Sequence, residues 1–557
     1  MPLRSGFLTP KWQSGIFAVM STDAVTVVDS EISAKEALSE AQKQQRHSVK
    51  RLALNGATYV ALGFGAGQII KLLSSIILTR LIHPEVYGLM DLAISCMVGI
   101  HLFSDIGINP CVVQSKHGEA PVFLRTAWTL QVLRSLLIAV MASLIAWPVA
   151  RFYHRPILLF VLPVIGSISI IEAFNALGTF VLTRRVQRGR LVLLETLSGL
   201  FSLLLTVLFV YIMRPGPFME VWRHERQSLG LDESLIWATI LGTLIARFLV
   251  MLLSHLILPG PRSRFQLDRD SLKEMMGFAK WVFFSTILTF LGTQIDRFIV
   301  PKLAGFEAAG LYGRALGLLG ICTGLISTFN SSVIYPIFGR LQNEGQSLAD
   351  YYPKTHKILS IIGAIVMSGL IATGPSLCRI LYPAEYTAVG SLLQIFALGA
   401  WFQMLQDFIG SGMLASGRRR AFVLPNAIKA IAMFALLLPA WWLAKHFGYN
   451  DLVGIVVGWV AINVATYLSA IFLARANGIQ VWKNDLTMTA ILVALSLAGL
   501  KLGHILSSWL GTATPDSRWV WFLQFLVMGT TTVGVWTLFL VFTWRRGTFN
   551  MLKRSRA

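Results

Sequence analysis

The chain has 557 residues, of which 55% are hydrophobic and only 13% are charged, and its mean hydropathy is +0.65. A soluble protein would carry about 25% charged residues, so this composition excludes a soluble globular protein and indicates an integral membrane protein. The net charge of +21 does not indicate nucleic-acid binding, because the basic residues lie between apolar runs. These runs are too long and continuous for the strands of a transmembrane barrel. The expected class is therefore all-α.

The polar segment 1–55 is expected to form a cytoplasmic N-terminal tail. The stretch from Met1 to Met20 lacks the compact apolar core of a secretory signal. Met20 is a plausible alternative start, so the residues before it are a candidate gene-model artefact. The segment 32–51 fits either an amphipathic helix at the membrane surface or a disordered chain.

Fourteen apolar runs follow, and each is near the roughly twenty residues that a helix needs to cross a bilayer. We expect membrane helices at 56–79, 86–108, 124–147, 157–182, 191–213, 235–257, 278–300, 309–336, 358–381, 388–414, 421–443, 452–474, 486–507 and 519–543.

These runs predict four regions after the N-terminal tail. They are an N-terminal six-helix bundle (56–257), a C-terminal six-helix bundle (258–475), two extra transmembrane helices (476–543) and a basic cytoplasmic tail (544–557). The longest internal loop, 214–234, is the only candidate for a small extramembrane cap. The sequence offers no linker long enough to hold a soluble domain.

The joint between the first two runs has a second copy further along the chain. Pro84 suits the first turn of a helix, where its missing N–H costs nothing, and Glu85 suits the positive end of the helix dipole. A shift of 222 positions aligns five residues of this joint with Lys302, Leu303, Glu307, Gly310 and Leu311. The repeat indicates two similar membrane halves, which is a common transporter plan.

Loop charge predicts the orientation. Lys and Arg are about three times as common in the even-numbered joints and the two tails as in the odd-numbered joints, and cytoplasmic loops carry such an excess. Both termini are therefore expected in the cytoplasm. The basic runs 183–190, 416–420 and 544–556 then lie on the cytoplasmic side, where they serve as topology signals.

Enzyme signatures are missing from the sequence. It contains no Gly-rich phosphate loop, no nucleophile elbow and no histidine spacing that suggests a metal site. Four cysteines lie in or beside apolar runs and are expected to act as small packing residues. No catalytic residue, metal site or cofactor is predicted.

The informative residues are polar side chains inside the apolar runs, because a charge at the bilayer centre costs at least about 2.5–3.5 kcal/mol. The candidates for a substrate cavity are Lys71, Arg134, Arg247, Lys429, Lys280, Arg297, Arg314, Gln131 and Gln403. The candidates for ion coupling or charge balance are Asp91, Asp105, Glu172, Asp296 and Asp407.

Several of these residues have simpler interpretations. Lys280 and Arg314 lie near helix ends, where long side chains reach the interface, and Arg297 is a neighbour of Asp296. Glu195 is close to the basic run 183–190, and Lys501 lies outside the repeated core.

The sign of the charged residues that lie deepest in the apolar runs indicates what kind of molecule the protein transports. A basic cavity suits an anionic cargo such as a phosphate, a pyrophosphate or an acidic sugar. Carboxylates inside the membrane could balance these charges or accept a coupling proton, because desolvation raises the pKa of a carboxyl group. Buried amides, such as those of Gln68, Asn175, Gln294, Asn330 and Gln406, suit either a cavity or hydrogen bonds between helices.

The first helix pair resembles that of bacterial polysaccharide and lipid-linked oligosaccharide flippases. The matching residues are Leu78, Arg80, Leu81, Pro84, Glu85, Gly88, Leu89, Phe103, Asp105, Gly107 and Gln114. The segment 296–315 resembles the family's seventh-to-eighth helix joint through Asp296, Gly310, Tyr312 and Ala315. The similarity extends over nearly all of 50–475.

This resemblance implies two six-helix bundles around a cavity that opens alternately to each side of the bacterial inner membrane. The implied substrate is an undecaprenyl-pyrophosphate-linked oligosaccharide repeat for exopolysaccharide, capsule or O-antigen synthesis. Membrane lipids, a polymerase and glycosyltransferases of the same pathway are the implied partners. The alternatives are a cation-coupled multidrug or small-metabolite antiporter, whose cavity should hold more carboxylates and aromatic residues than basic ones, and a polytopic envelope-assembly enzyme or scaffold.

Overall fold

A computed structural model describes the residues in the ranges 63–184, 189–213, 234–334, 348–415, 419–476, 480–509 and 518–545, together with residue 338. The described residues form helices and connecting turns without a strand, and they belong to one compact unit, Ala61–Ala557. The N-terminal tail, the alternative start at Met20, most of loop 214–234 and the basic C-terminal tail fall outside the described residues. So do residues 185–188 and 416–418 of the basic runs 183–190 and 416–420.

The described helices overlap all of the predicted runs, although several begin earlier than predicted and α3 lies between two runs. They are α1 (Gly63–Thr79), α2 (Pro84–Phe103), α3 (Ile108–Gln114), α4 (Pro121–Tyr153), α5 (Leu158–Ala173), α6 (Gly178–Arg184), α7 (Gly189–Met213), α8 (Ser234–Ile257), α9 (Arg269–Thr293), α10 (Ile295–Leu303), α11 (Gly305–Phe329), α12 (Leu348–Leu381), α13 (Ala388–Ala415), α14 (Arg419–His446), α15 (Asp451–Ala476), α16 (Trp482–Trp509) and α17 (Arg518–Arg545).

Each of the fourteen predicted runs contains a described helix, but not every helix qualifies as a membrane span. Ten described helices are long and apolar enough to cross a membrane, and the bent pair α5–α6 would make eleven. The described part of α1 is too short for this test, and neither α9 nor α16 is among the ten. The all-α membrane class is confirmed, whereas the count of fourteen spans stays a prediction.

Two predicted runs are broken in the structure. The run 157–182 divides into α5 and α6, which are bent by 72° relative to each other. The run 278–300 begins earlier than predicted, at Arg269, and breaks at Gln294. The early start has a local cause, because the Asp268 carboxylate caps α9 by accepting hydrogen bonds from the backbone N–H and the hydroxyl of Ser271. These hydrogen bonds hold the pKa of Asp268 below its usual range.

The two copies of the repeat pack directly against each other. Helices α2 and α11 cross at Gly88 and Gly310, two residues that the repeat aligns. A Cβ atom on Gly88 would collide with the carbonyl oxygen of Phe306, and one on Gly310 would collide with that of Pro84. Glycine therefore permits the close approach of the two backbones.

Hydrogen bonds also join the halves at the end of the molecule that carries this crossing. The N-terminal half comprises α1–α8, and the C-terminal half comprises α9–α15. The closed end is the end of the molecule that holds the joints 80–84, 153–157, 303–305 and 381–388. The described cross-half pairs there are Ser75 with Tyr382 (2.8 Å), His83 with Glu385 (2.9 Å), the Tyr386 hydroxyl with the Ile82 carbonyl (2.6 Å), the Tyr153 hydroxyl with the Phe298 carbonyl (2.8 Å) and Lys302 with the Phe152 carbonyl (3.0 Å).

At the opposite end, the linker between the halves is fastened to α4. The backbone N–H groups of Gln266 and Asp268 donate to the hydroxyls of Thr129 and Thr126, at 3.0 and 3.2 Å. Arg125 donates to the Gln266 side chain at 3.3 Å. The linker thus follows the N-terminal half until α9 begins.

The last two helices pack on α12, and a buried polar group holds α16 in place. His356 Nε2 lies 2.6 Å from Asp485 Oδ1, and both side chains are fully buried. The Tyr467 hydroxyl donates to Asp485 Oδ2 at 3.0 Å. The indole of Trp536 on α17 donates to the Ser368 hydroxyl on α12 at 2.7 Å. Removing two such ionisable groups from water is favourable only when their hydrogen bonds are satisfied.

Candidate functional site

One cavity in the described residues lies within the N-terminal half. Its volume is about 530 Å³, which falls within the size range of small-molecule sites. The polar residues that line it include Asn109, Gln131, Glu172, Asn175, Glu195 and Arg247. They come from the segments nearest to the even-numbered joints, which lie opposite the closed end. This N-half cavity therefore lies toward that opposite end, and we call it the cavity end.

The break between α5 and α6 forms one wall of the N-half cavity. Three side chains satisfy backbone groups that the break removes from helical pairing. His255 Nε2 lies 2.9 Å from the Phe174 carbonyl, Trp128 donates to the Asn175 carbonyl at 3.1 Å, and the Ala176 N–H donates to Ser254 at 3.0 Å. Irregular backbone at membrane depth occurs where it is buried in protein or lines a cavity, and both conditions hold here.

Two of the predicted charged residues form an ion pair in this cavity. The Arg247 Nε lies 3.2 Å from the Glu172 Oε1, and both side chains are partly exposed to the cavity. Glu195, which the sequence assigned to the neighbouring basic run, lines the same space. The Asn175 Oδ1 is buried and accepts no hydrogen bond in the described structure.

Arg134 forms a separate cluster with the end of α2. Its guanidinium donates to the His101 carbonyl at 2.7 Å and to Ser104 at 3.3 Å, and lies 3.6 Å from the Asp105 carboxylate. His101 in turn lies 3.0 Å from the Ser169 hydroxyl. The predicted residues Arg134 and Asp105 therefore contact each other, and they tie α2 to α4 and α5.

A second cavity, of about 270 Å³, lies in the C-terminal half and also toward the cavity end. Asp407, Gln406, Asn330 and Ser411 line it. Asn330 donates to Ser411 at 2.8 Å, whereas the Asn330 Oδ1 and the Gln406 Oε1 accept no hydrogen bond in the described structure. Asn330 begins a π-helical turn after α11, a distortion that is frequent at functional sites.

Lys429 and Asp296 lie in the interior of the same half and do not belong to the lining of this C-half cavity. Both are buried, with 9% and 2% of their surface exposed. Lys429 interacts electrostatically with Asp407 and Asp296. The Tyr312 hydroxyl donates to Asp296 Oδ2 at 2.6 Å, and the backbone N–H of Arg297 donates to Oδ1 at 3.0 Å. Asp296 is thus fixed by hydrogen bonds.

The remaining candidate residues are dispersed. Lys71 is exposed on α1, and Gln403 is half-buried on α13. The Arg314 guanidinium lies 4.0 Å from the ring centroid of Tyr87, across the contact between the halves. Asp91 packs at Gly313, where a Cβ atom would collide with its carboxylate. The side chain of Lys280 on α9 lies outside the described residues.

The structure thus brings Gln131, Glu172 and Arg247 together in one cavity and places Lys429 close to Asp407 in the other half. Sequence reasoning missed Asn109 and the helix break, because the run 157–182 carries no helix-breaking signal at 174–177. It also missed the pairing of His356 with Asp485, two residues far apart in the sequence. The four cysteines are free, and no metal-binding group was found among the described residues.

Known proteins match both the sequence and the fold. The teichuronic acid biosynthesis protein TuaB of Bacillus subtilis is 20% identical, with 76% of this chain and 86% of TuaB covered. The amylovoran biosynthesis protein AmsL of Erwinia amylovora is 24% identical, with coverages of 57% and 77%. The solved structure of the lipid II flippase MurJ in an inward closed conformation superposes with a TM-score of 0.63 at 12% identity, covering 87% of this chain and 98% of that one.

The fold is therefore one that membrane transporters adopt. A family model described as polysaccharide biosynthesis protein matches residues 53–342, which is more than half of the chain. This match includes the first helix pair and the α10–α11 joint, the two segments on which the sequence resemblance rests. The chain belongs to the polysaccharide biosynthesis protein family.

Proposed function

We propose that this protein moves lipid-linked oligosaccharide repeat units across the bacterial cytoplasmic membrane by alternating access. One observation carries this proposal. The two halves are joined by hydrogen bonds at the closed end, and each half has a polar cavity toward the opposite end. Such an arrangement is that of a transporter whose sites are accessible from one side.

The charge of the loops supports an orientation with the cavity end in the cytoplasm. The even-numbered joints lie at the cavity end and carry the excess of Lys and Arg that is typical of cytoplasmic loops. In this orientation the cavities face the side on which lipid-linked sugars are assembled. The names of the relatives, which concern teichuronic acid and amylovoran synthesis and lipid II flipping, support a sugar-bearing lipid as the cargo.

A second candidate function is supported by the cavity charges. The described lining of the two cavities contains three carboxylates, those of Glu172, Glu195 and Asp407, but only one basic side chain, that of Arg247. Such a balance suits a cation-coupled antiporter. In the flippase, the same carboxylates would contact sugars or take part in ion coupling.

A complementation assay separates the two functions. The full chain is expressed in a strain that lacks its own flippase, and both the surface polysaccharide and the accumulated lipid-linked repeat are quantified. Everted vesicles from the same cells are assayed for uptake of a cationic dye. The flippase predicts restored polymer and no dye uptake. Dye uptake without polymer, over several repeat structures, would support the antiporter instead.

A further inference from the structure

The N-half cavity differs in its charge from the site that a pyrophosphate requires. Among the described residues, its ionisable lining residues are Glu172, Glu195 and Arg247, so the formal charge of this described lining is negative. Arg247, the basic residue of this described lining, already pairs with Glu172 at 3.2 Å. A pyrophosphate or an acidic sugar entering this cavity would meet an uncompensated carboxylate rather than a free guanidinium.

The remaining lining suits a ligand with many hydroxyl groups. Amides from Asn109, Gln131 and Asn175 and hydroxyls from Thr179 and Thr183 face the same space. Each amide offers both donors and an acceptor, as sugar hydroxyls require. Glu172 and Glu195 add acceptors. A purely cationic or purely apolar ligand would leave most of these groups without partners.

One atom of a lining residue already lacks a partner. The Asn175 Oδ1 is buried and accepts no hydrogen bond in the described structure. The backbone around it is satisfied by His255, Trp128 and Ser254, so the break in the helix holds Asn175 in a fixed position beside the cavity. A buried acceptor without a donor is unfavourable, and a rotation of the Asn175 side chain toward the cavity would let the hydroxyl group of a ligand satisfy it.

From this geometry we propose that the N-half cavity is the subsite for an uncharged sugar of the repeat unit, separate from the position of the pyrophosphate. This proposal rests on the proposed function, because it divides the same cargo between two places. Asn175 donates and accepts hydrogen bonds with the sugar hydroxyls, and the Glu172–Arg247 pair presents a carboxylate and a guanidinium to them without a net charge.

Binding of three lipids to the purified full-length protein tests this subsite. The probes are undecaprenyl pyrophosphate alone, the same lipid bearing N-acetylglucosamine, and the same lipid bearing glucuronic acid. Native mass spectrometry in detergent gives their relative affinities. We expect the N-acetylglucosamine lipid to bind about fivefold to tenfold more tightly than the bare lipid, as one or two net hydrogen bonds would provide. The glucuronic acid lipid should gain no such advantage.

Two variants act on different parts of the subsite. Asn175→Ala should reduce the advantage of the N-acetylglucosamine lipid toward unity and leave the affinity for the bare lipid unchanged. Glu172→Gln leaves Arg247 without its carboxylate and should increase the affinity for the glucuronic acid lipid. Gln114→Ala removes an exposed amide at the same end of the molecule, outside the cavity lining. It should change neither the affinity of the N-acetylglucosamine lipid nor that of the glucuronic acid lipid relative to the bare lipid.

Three results would overturn the subsite. The first is that the wild-type protein binds the bare and the N-acetylglucosamine lipids with equal affinity. The second is that it prefers the glucuronic acid lipid. The third is that Asn175→Ala loses affinity for the bare lipid together with the sugar-bearing lipids. Failure of the wild-type protein to bind any of the three lipids would contradict the proposed function itself.

Discussion

At the scale of single residues, the buried acid Asp296 shows how this protein accommodates a charge inside its C-terminal half. Its two oxygens accept hydrogen bonds from the Tyr312 hydroxyl and from the Arg297 backbone. Lys429 supplies a nearby positive charge. Because each oxygen has a donor, Asp296 is best understood as a structural residue that positions α10 against α11.

Replacing the hydroxyl donor tests this interpretation. Tyr312→Phe leaves one oxygen of a buried acid without a partner, which costs about 1–3 kcal/mol. We expect a lower melting temperature of the purified protein in detergent. Tyr449→Phe is the control, because Tyr449 is 68% exposed, and it should melt as the wild type does. Equal melting of Tyr312→Phe and wild type would show that the hydrogen bond contributes nothing.

At the scale of helices, the contact between α2 and α11 depends on two glycines that occupy equivalent places in the repeat. The aligned glycines lie on the two sides of this contact, and each one accommodates the backbone of the other helix. The sequence repeat indicated two similar halves, but the contact between the repeated segments became visible only in the fold.

A methyl group at this crossing should separate the halves at the closed end. Gly88→Ala places its Cβ against the Phe306 carbonyl, and backbone atoms cannot yield as a flexible side chain can. We expect spin labels at positions 83 and 385 to report longer distances than in the wild-type background. Gly317→Ala on α11 has open space around it and serves as the control. Unchanged label distances in Gly88→Ala would contradict this role for the crossing.

The attachment of α16 depends on a different kind of contact. Asp485→Ala removes the partner of a fully buried histidine and the acceptor of the Tyr467 hydroxyl. Removing one member of a buried pair typically costs about 3–5 kcal/mol. We expect a lower melting temperature and faster proteolysis of the loop between α16 and α17.

The matched control for this variant is on the same turn of the helix. Lys483→Ala alters an exposed side chain two residues away, so its melting temperature should remain near that of the wild type. If Asp485→Ala also remained near that value, the His356–Asp485 pair would not be what attaches α16.

At the scale of the whole molecule, the proposed transport cycle requires the closed end to open. The Nδ1 of His83 and the Oε2 of Glu385 lie 2.9 Å apart on opposite halves, and both side chains are more than half exposed. An exposed pair of this kind contributes at most about 1 kcal/mol, so it can break in each cycle. A covalent bridge at the same positions would prevent the opening.

Cross-linking therefore tests alternating access directly. In a background without the four native cysteines, His83→Cys combined with Glu385→Cys should lose polymer export when a short bifunctional thiol reagent is added. Each single variant should keep its activity with the same reagent, and a cleavable reagent should allow recovery on reduction. Full export by the cross-linked double variant would exclude an opening at this end.

The sequence by itself determined the class of this protein. Long apolar runs require helices in a membrane because no other open structure satisfies the backbone there. The joint motifs at Pro84–Gly88 and at Asp296–Ala315 carried the family resemblance, which is confirmed. The sequence also identified Gln131, Glu172 and Arg247 as polar residues at membrane depth, although it could not show that they share a cavity.

Only the tertiary structure decided how these charges are paired. Arg247 contacts Glu172 and Arg134 contacts Asp105 because helices distant in the sequence pack side by side. A hydropathy profile scores each residue separately, so it contains no information on which charged residues pair with each other. The break at 174–177, the π-helical turn after α11 and the contact of Gly88 with the α11 backbone likewise arise from packing between helices. The physical reason is that periodicity reflects the environment of one helix, whereas cavities and closed ends are formed where several helices meet.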